Sequence, residues 1–228
     1  MVENKKYYIR TYGCQMNEHD SEKIAGMLEE MGYSPTTELE SADLIFLNTC
    51  TVRENAELKV FGKVGSLKKL KRENPDLIIG IGGCMMQVEE PVKKIKEKFP
   101  QVDLVIGTHN LHKLPELINE IKENDKRIIS VWDQEKGLIP NLPSVRKSDF
   151  QAWVTIMQGC DNYCSYCIVP YVRGHERSRP KEQVIKEVKK LVEDGVVEIT
   201  LLGQNVNSYA QDLKADYDFA DLLNELDE

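Results

Sequence analysis

The segment Cys160-Asp161-Asn162-Tyr163-Cys164-Ser165-Tyr166-Cys167 spaces three thiols as C-x3-C-x2-C, with an aromatic residue directly before the last. On one short loop three thiolates can converge within a few ångströms, which suits three irons of a cubane iron–sulfur cluster. Electron-transfer ferredoxins close their clusters with four cysteines, and structural zinc sites close theirs with four Cys or His ligands. A three-ligand loop therefore leaves one metal open for chemistry. The competing reading is a zinc knuckle that takes its fourth ligand from His175 or another cysteine.

The remaining three of the six cysteines, Cys14, Cys50 and Cys84, are 36 and 34 residues apart. The elements around them give that spacing a meaning. Tyr7 to Thr11 is an apolar and β-branched run that predicts a strand ending at Gly13-Cys14. Asn17 to Asp20 offers N-cap residues, and Ile24, Met27, Leu28 and Met31 keep helical spacing until Gly32. Asp43 to Leu47 predicts a buried strand running through Asn48-Thr49 to Cys50, with a helix over 55–70 after it. Leu77 to Ile81 predicts a third strand, Gly82-Gly83 a turn, and then Cys84 and a helix over 89–98.

Strand 102–106, helix 114–123 and strand 127–131 complete a pattern that implies a parallel, doubly wound sheet. The carboxyl ends of such strands share one edge, where ligand sites form. A single free cysteine usually just packs. Three at successive strand ends instead make a second candidate cluster site with an open metal position. Gly80-Ile81-Gly82-Gly83 lacks both the dinucleotide fingerprint and a P-loop Lys-Ser/Thr, so it is read as a turn beside Cys84.

Residues 133–149 have no apolar period, contain Pro140 and Pro143, and are expected to link two domains, 1–132 and 150–228. In the second, strand 152–157 delivers Gln158-Gly159 and the cysteine loop. A helix marked by Val184, Val188 and Leu191 follows Pro180, with Ile185 and Val192 flanking that stripe. Strand 198–202 then ends in Gly203-Gln204-Asn205, and a helix occupies 219–226. Two βα units cannot close a barrel, which leads us to expect a longer protein.

Of the 228 residues 41% are hydrophobic, enough for ordinary cores. No export signal or apolar run of roughly 18 residues is visible, so the expectation is a cytoplasmic protein with no membrane span. In that setting cysteines suggest metal or redox roles more than disulfides. The net charge of −8 is the wrong sign for holding nucleic acid by bulk charge. Two local basic clusters stand out. Lys63, Lys68, Lys69, Lys71 and Arg72 read as a solvated helix face. Arg173, His175, Arg177, Arg179 and Lys181 lie beside the cysteine loop and could serve a phosphate or carboxylate.

With three N-terminal cysteines at strand ends and a C-x3-C-x2-C loop, the sequence resembles the methylthiotransferase family of radical S-adenosylmethionine (SAM) enzymes over essentially its whole length. Gly13-Cys14-Gln15-Met16-Asn17, continuing to Asp20-Ser21-Glu22, is similar to the opening motif of the branch that modifies isopentenyl-adenosine next to the tRNA anticodon. Asn48-Thr49-Cys50-Thr51-Val52-Arg53, Gly83-Cys84 and Gly203-Gln204-Asn205-Val206-Asn207 match the same branch.

The resemblance implies that 150–228 begin a radical SAM partial TIM barrel. It implies that Cys160, Cys164 and Cys167 hold a [4Fe-4S] cluster whose open iron binds SAM, with Tyr166 beside the adenine and Gly203 and Gln204 where SAM's amino group is held. Cys14, Cys50 and Cys84 would hold an auxiliary [4Fe-4S] cluster that carries sulfur. One SAM would donate a methyl group, and a second would yield the radical that abstracts hydrogen from C2 of the adenine. That C–H is too weakly acidic for a side-chain base. No acid or base residue is therefore assigned.

Further implied are a tRNA partner, an external electron donor, a monomer, and a C-terminal RNA-binding domain lying beyond these residues. The segment alone is expected to bind tRNA weakly and not to turn over. The alternatives are a methylthiotransferase acting on threonylcarbamoyl-adenosine tRNA or a ribosomal protein, and a non-catalytic metal-binding module associated with RNA.

Overall fold

The computed structural model describes residues 5–51, 54–134 and 141–227. They form two compact units: residues up to 134 together with Leu142–Val145, and residue 141 together with those from Arg146 on.

In the first unit the strand and helix patterns alternate as follows: β1 Lys6–Thr11, α1 Gln15–Glu30, β2 Ser34–Pro35, β3 Leu44–Thr49, α2 Glu54–Glu73, β4 Ile78–Gly83, α3 Glu89–Lys98, β5 Leu104–Ile106, α4 Leu114–Asn124 and β6 Ile128–Ser130. The sheet is wholly parallel, in the order β2-β1-β3-β4-β5-β6. β2 escapes sequence reading because it is two residues long.

Alternation along the buried strands sorts side chains between two layers. Ile45, Leu47, Ile79, Ile81 and Val105 face Val60, Val64 and Leu67 of α2 and Ile95 of α3. Leu44, Phe46, Ile78, Leu104 and Ile106 face Ile24 and Leu28 of α1 and Ile118 and Ile121 of α4. Phe46 explains two glycines read above as a turn. A Cβ on Gly80 or Gly82 would lie 2.8 Å from its ring, so the strand stays bare there and continues to Gly83. The chain turns only at Cys84, into a short 3₁₀ segment.

Part of the expected linker is not free chain. Leu142 and Val145 pack on the α1/α4 layer, and the Val145 N–H donates to the Glu22 carbonyl at 3.0 Å. Gly26 makes room: a Cβ there would meet the Pro143 carbonyl at 2.5 Å. Residues 135–140 of that stretch lie outside the described residues.

The second unit holds β7 Gln151–Thr155, β8 Met157–Gln158, α5 Val169–Arg173, β9 Arg177–Ser178, α6 Lys181–Glu193, β10 Glu198–Leu202 and α7 Phe219–Asp227. β7 and β10 pair in parallel with α6 between them in sequence, one full βα crossover. Val154, Ile156, Val184, Val188, Leu191, Tyr209 and Leu222 form its core, while Val192 is exposed. Among the described residues no helix is long and apolar enough to cross a membrane.

Candidate metal centres

β1, β3 and β4 are neighbours, and their registers align Thr11 with Asn48 and Thr49 with Gly83, so the three strands finish level. Cys50 and Cys84 follow those ends directly, and Cys14 follows after Tyr12 and Gly13. Cys14 is the N-cap of α1, which begins earlier than the Asn17–Asp20 caps suggested, and its carbonyl accepts from Glu18 N–H at 3.1 Å. Cys14 is exposed, whereas Cys50 and Cys84 are buried. A Cβ on Gly13 would sit 2.9 Å from Cys50 Cβ, so the β1 and β3 loops touch through that bare position.

Asn17 lies between the thiols and is fully buried. Its Oδ1 faces Cys14 Sγ at 4.0 Å and Cys84 Sγ at 3.8 Å. Its Nδ2 donates to the Tyr12 and Thr49 carbonyls at 3.0 and 2.9 Å. Asn48 Nδ2 donates in turn to the Asn17 carbonyl at 2.8 Å and to Ser21 Oγ at 3.0 Å. Sequence reading took Asn17 as a helix-cap candidate and as part of a motif, not as a residue between the thiols. The signal that could have found it is its place three residues after Cys14, one helical turn on, once the helix is started at Gln15. Val52 and Arg53, from the motif around Cys50, lie outside the described residues.

The second cysteine set sits on a loop clamped at both ends. Gly159, at φ +81°, has no room for a side chain against the His175 and Gly174 carbonyls. Its N–H donates to Gln204 Oε1 at 2.6 Å, and Cys160 N–H donates to the Gly174 carbonyl at 3.2 Å. Cys167 N–H closes a turn onto the Cys164 carbonyl at 2.9 Å. Between Cys160 and Cys164, Tyr163 adopts φ +46°, unusual for a residue with a side chain, and its ring meets the Tyr171 ring edge-on. Cys160 is buried, Cys167 half-buried and Cys164 exposed. Tyr166 is 92% exposed, leaving both ring faces open.

All six cysteines are free thiols. Among the described residues no three His, Cys, Asp or Glu side chains close to the spacing of a single-ion site. A cubane asks less convergence than a single ion does, since each thiolate meets its own iron, and two sets of soft sulfur donors suit it.

Two family models match the sequence: residues 6–107 fit "Uncharacterized protein family UPF0004" and residues 154–227 fit the "Radical SAM superfamily". The chain joins a UPF0004 segment to a radical SAM segment. Each carries one of the cysteine sets. A protein of Desulforamulus reducens named tRNA-2-methylthio-N(6)-dimethylallyladenosine synthase is 56% identical over 228 residues, covering 100% of this chain and 50% of that protein. One of the same name from Alkaliphilus oremlandii is 58% identical over 223 residues, 98% of this chain and 47% of that protein. The chain thus spans about half the length of the curated relatives it matches. A solved structure of the radical S-adenosylmethionine methyltransferase TsrM from Kitasatospora setae, with cobalamin and a [4Fe-4S] cluster bound, aligns with a TM-score of 0.58 at 13% identity. The alignment covers 98% of this chain and 50% of that one, and it speaks to the fold.

In the radical SAM segment part of the basic cluster is paired with acidic side chains of the same segment. His175 Nδ1 lies 2.7 Å from Asp161 Oδ1, Arg179 pairs with Glu187 at 2.7 Å, and Lys181 pairs with Glu225 at 2.9 Å. Arg179 also donates to the Thr155 carbonyl at 2.8 Å, so it serves the core. Arg177 donates to Gln158 Oε1 at 3.1 Å; burial lowers its pKa from the ordinary arginine value, against the pull of Asp212. Arg173 is buried. Gly203 must be glycine for packing, because a Cβ would lie 2.6 Å from Met157 Cγ. Glu176 Oε1 accepts from Asn205 Nδ2 at 3.2 Å and from Ser208 Oγ at 2.9 Å, a network that sequence reading did not foresee.

In the UPF0004 segment Lys71 reaches Asp103 at 3.0 Å and the Leu77 carbonyl at 2.6 Å, and Lys69 pairs with Glu73. His19 is buried, its Nδ1 3.1 Å from Glu22 Oε2. Burial and the Lys23 charge lower its pKa below the usual histidine value, against the Glu22 contact, so the imidazole is neutral near pH 7.

Proposed function

We propose that this chain is part of a radical SAM methylthiotransferase that acts on tRNA, placing a methylthio group on C2 of N6-dimethylallyladenosine (isopentenyl-adenosine). The observation that carries this reading is the pair of separate three-thiol sets, one per segment, in a sequence more than half identical to enzymes of that name along its whole length. In this reading Cys160, Cys164 and Cys167 hold one [4Fe-4S] cluster, and Cys14, Cys50 and Cys84 hold the other. When bound, the clusters and SAM supply the one-electron and sulfur-transfer chemistry that no side chain offers.

The chain's own residues supply position. Gln204 ties the end of β10 to Gly159 at the root of the cysteine loop. The exposed Tyr166 ring offers a flat face to the adenine of SAM, which stacks on aromatic planes. Gly203 and Gln204 line the same strand end and are assigned to cofactor binding. tRNA is the partner, an external reductant delivers the electron, and the site of action is the cytoplasm.

The test is a nucleoside analysis of tRNA from cells lacking the gene. Loss of the methylthio mark from dimethylallyladenosine, restored by the intact gene and not by a Cys14→Ala copy, supports the assignment. An unchanged nucleoside profile rejects it.

A further inference from the structure

We propose that Asn17 is a positioning residue for the N-terminal thiol set: its side chain fixes the mutual spacing of the three cysteine-bearing strand ends and so governs how that set takes up a polynuclear iron centre. The inference rests on the reading of Cys14, Cys50 and Cys84 given above.

The argument starts from what one amide can do. Asn carries two N–H donors and one carbonyl acceptor in a rigid plane. Here both hydrogens of Nδ2 are used, on the Tyr12 carbonyl before Gly13-Cys14 and on the Thr49 carbonyl before Cys50. A flipped amide would set Oδ1 against two carbonyl oxygens, so the network itself decides the orientation. Oδ1 is thereby aimed at Cys14 Sγ and Cys84 Sγ. One side chain thus touches the β1, β3 and β4 loops within a residue or two of every cysteine.

These links lie where the sheet stops helping. The strand ladder pairs the chain as far as Thr11 with Asn48 and Thr49 with Gly83. Beyond it, the Tyr12 N–H donates to the Asn48 carbonyl at 2.8 Å, Asn48 Nδ2 donates to the Asn17 carbonyl, and the Asn17 amide donates to the Tyr12 and Thr49 carbonyls. Removing the amide therefore leaves the strand ladder intact and takes away the two side-chain links that join the Tyr12 and Thr49 carbonyls beside the thiols. Asn17 is not a ligand in this scheme. It sets the frame that ligands occupy.

Ser21 supplies a matched control. Its Oγ accepts from Thr11 Oγ1 at 2.8 Å and from Asn48 Nδ2 at 3.0 Å, in the same buried network. The experiment uses the full chain with Cys160, Cys164 and Cys167 changed to Ala, which silences the second set. It is reconstituted anaerobically with ferrous iron and sulfide. Iron and sulfide content, the visible spectrum, the rate of iron loss to a chelator, and the iron-free Tm are measured.

The parent should hold about four irons. Asn17→Ala, and Asn17→Asp, which keeps the shape but trades the amide donor for a carboxylate, should hold less than half as much iron. What they hold should be lost at least tenfold faster, with an altered spectrum. Ser21→Ala should lower the iron-free Tm comparably and leave iron content and release unchanged. Circular dichroism identifies any variant that fails to fold, and the Asp variant then decides. Asn17 variants that match the parent, or a Ser21 variant that loses iron equally, overturn the inference. A parent that binds no iron overturns instead the cluster assignment on which it rests.

Discussion

Replacing Gly83 by alanine should cost the first unit about 3 kcal/mol, and the structure supplies the working. Gly83 has φ +95° with ψ −172°, backbone open essentially to glycine alone, and holding a residue with a Cβ there costs about 1–3 kcal/mol. The added Cβ would also fall against the Thr49 carbonyl, 2.5 Å from Asn48 Oδ1 and 2.7 Å from Thr49 N, where ordinary contacts begin near 3.4 Å. The obstacle is mostly the backbone of a central strand, so the strain is that of an overpacked core, about 1–3 kcal/mol. Stiffening of the unfolded chain returns less than about 1 kcal/mol.

At about 2–4 °C per kcal/mol for a unit of this size, the Tm should fall by roughly 6–12 °C in a thermal melt followed by far-ultraviolet circular dichroism. Because Asn48 also donates to Asn17 and Ser21, iron held by the N-terminal thiols should fall with it. A Tm within about 2 °C of the parent would refute the claim that β3 and β4 are locked at Gly83.

The opposite sign is expected on α2, where a Cβ on Gly62 meets nothing within 4 Å and one on Gly65 only the Phe99 ring at 3.9 Å. Each change to alanine there should add about 0.5–1 kcal/mol by helix propensity, read as a higher denaturant midpoint. His19, whose pKa is lowered by burial, makes the folded state bind fewer protons than the unfolded chain. Stability should therefore be full above about pH 6.5 and fall as the pH drops through the unfolded value toward the folded one. Melts of the parent and His19→Gln from pH 7.5 to 5 should show the smaller loss in the variant, and equal slopes would count against it. Gln204→Ala removes the acceptor of the Gly159 N–H and should cost about 1–2 kcal/mol. It should also reduce iron at the second cysteine set, read in a Cys14, Cys50, Cys84 triple-alanine background, and leave iron at the first set unchanged, read in a Cys160, Cys164, Cys167 triple-alanine background.

Much of the fold could be read from periodicity, because buried parallel strands and amphipathic helices write long, unambiguous patterns. Helix α3 begins at Glu89 and ends at Lys98, as the pattern says. The misreadings have physical causes. β2 is too short to carry a period, and Gly80 and Gly82 look like a turn until Phe46 is placed against them across the sheet. Asn17 looked like a helix cap because local sequence favours it there, whereas Cys14 takes that place. The basic run Arg173 to Lys181 was read from charge alone, and the pairing of His175 with Asp161, Arg179 with Glu187 and Lys181 with Glu225 comes from the fold.

The sequence by itself determined the chemistry: six free thiols in two sets of three, one set compact on a loop and one placed at successive strand ends. Residue type and strand periodicity are local properties, so a reader of the chain can recover them. Tertiary structure alone decided that β1, β3 and β4 lie side by side and end level. It also decided that Asn17 binds their loops together and that Gln204 reaches back 45 residues to hold the second cysteine loop. Those are contacts between segments far apart in sequence, set by sheet order and by the need to pair every buried polar group.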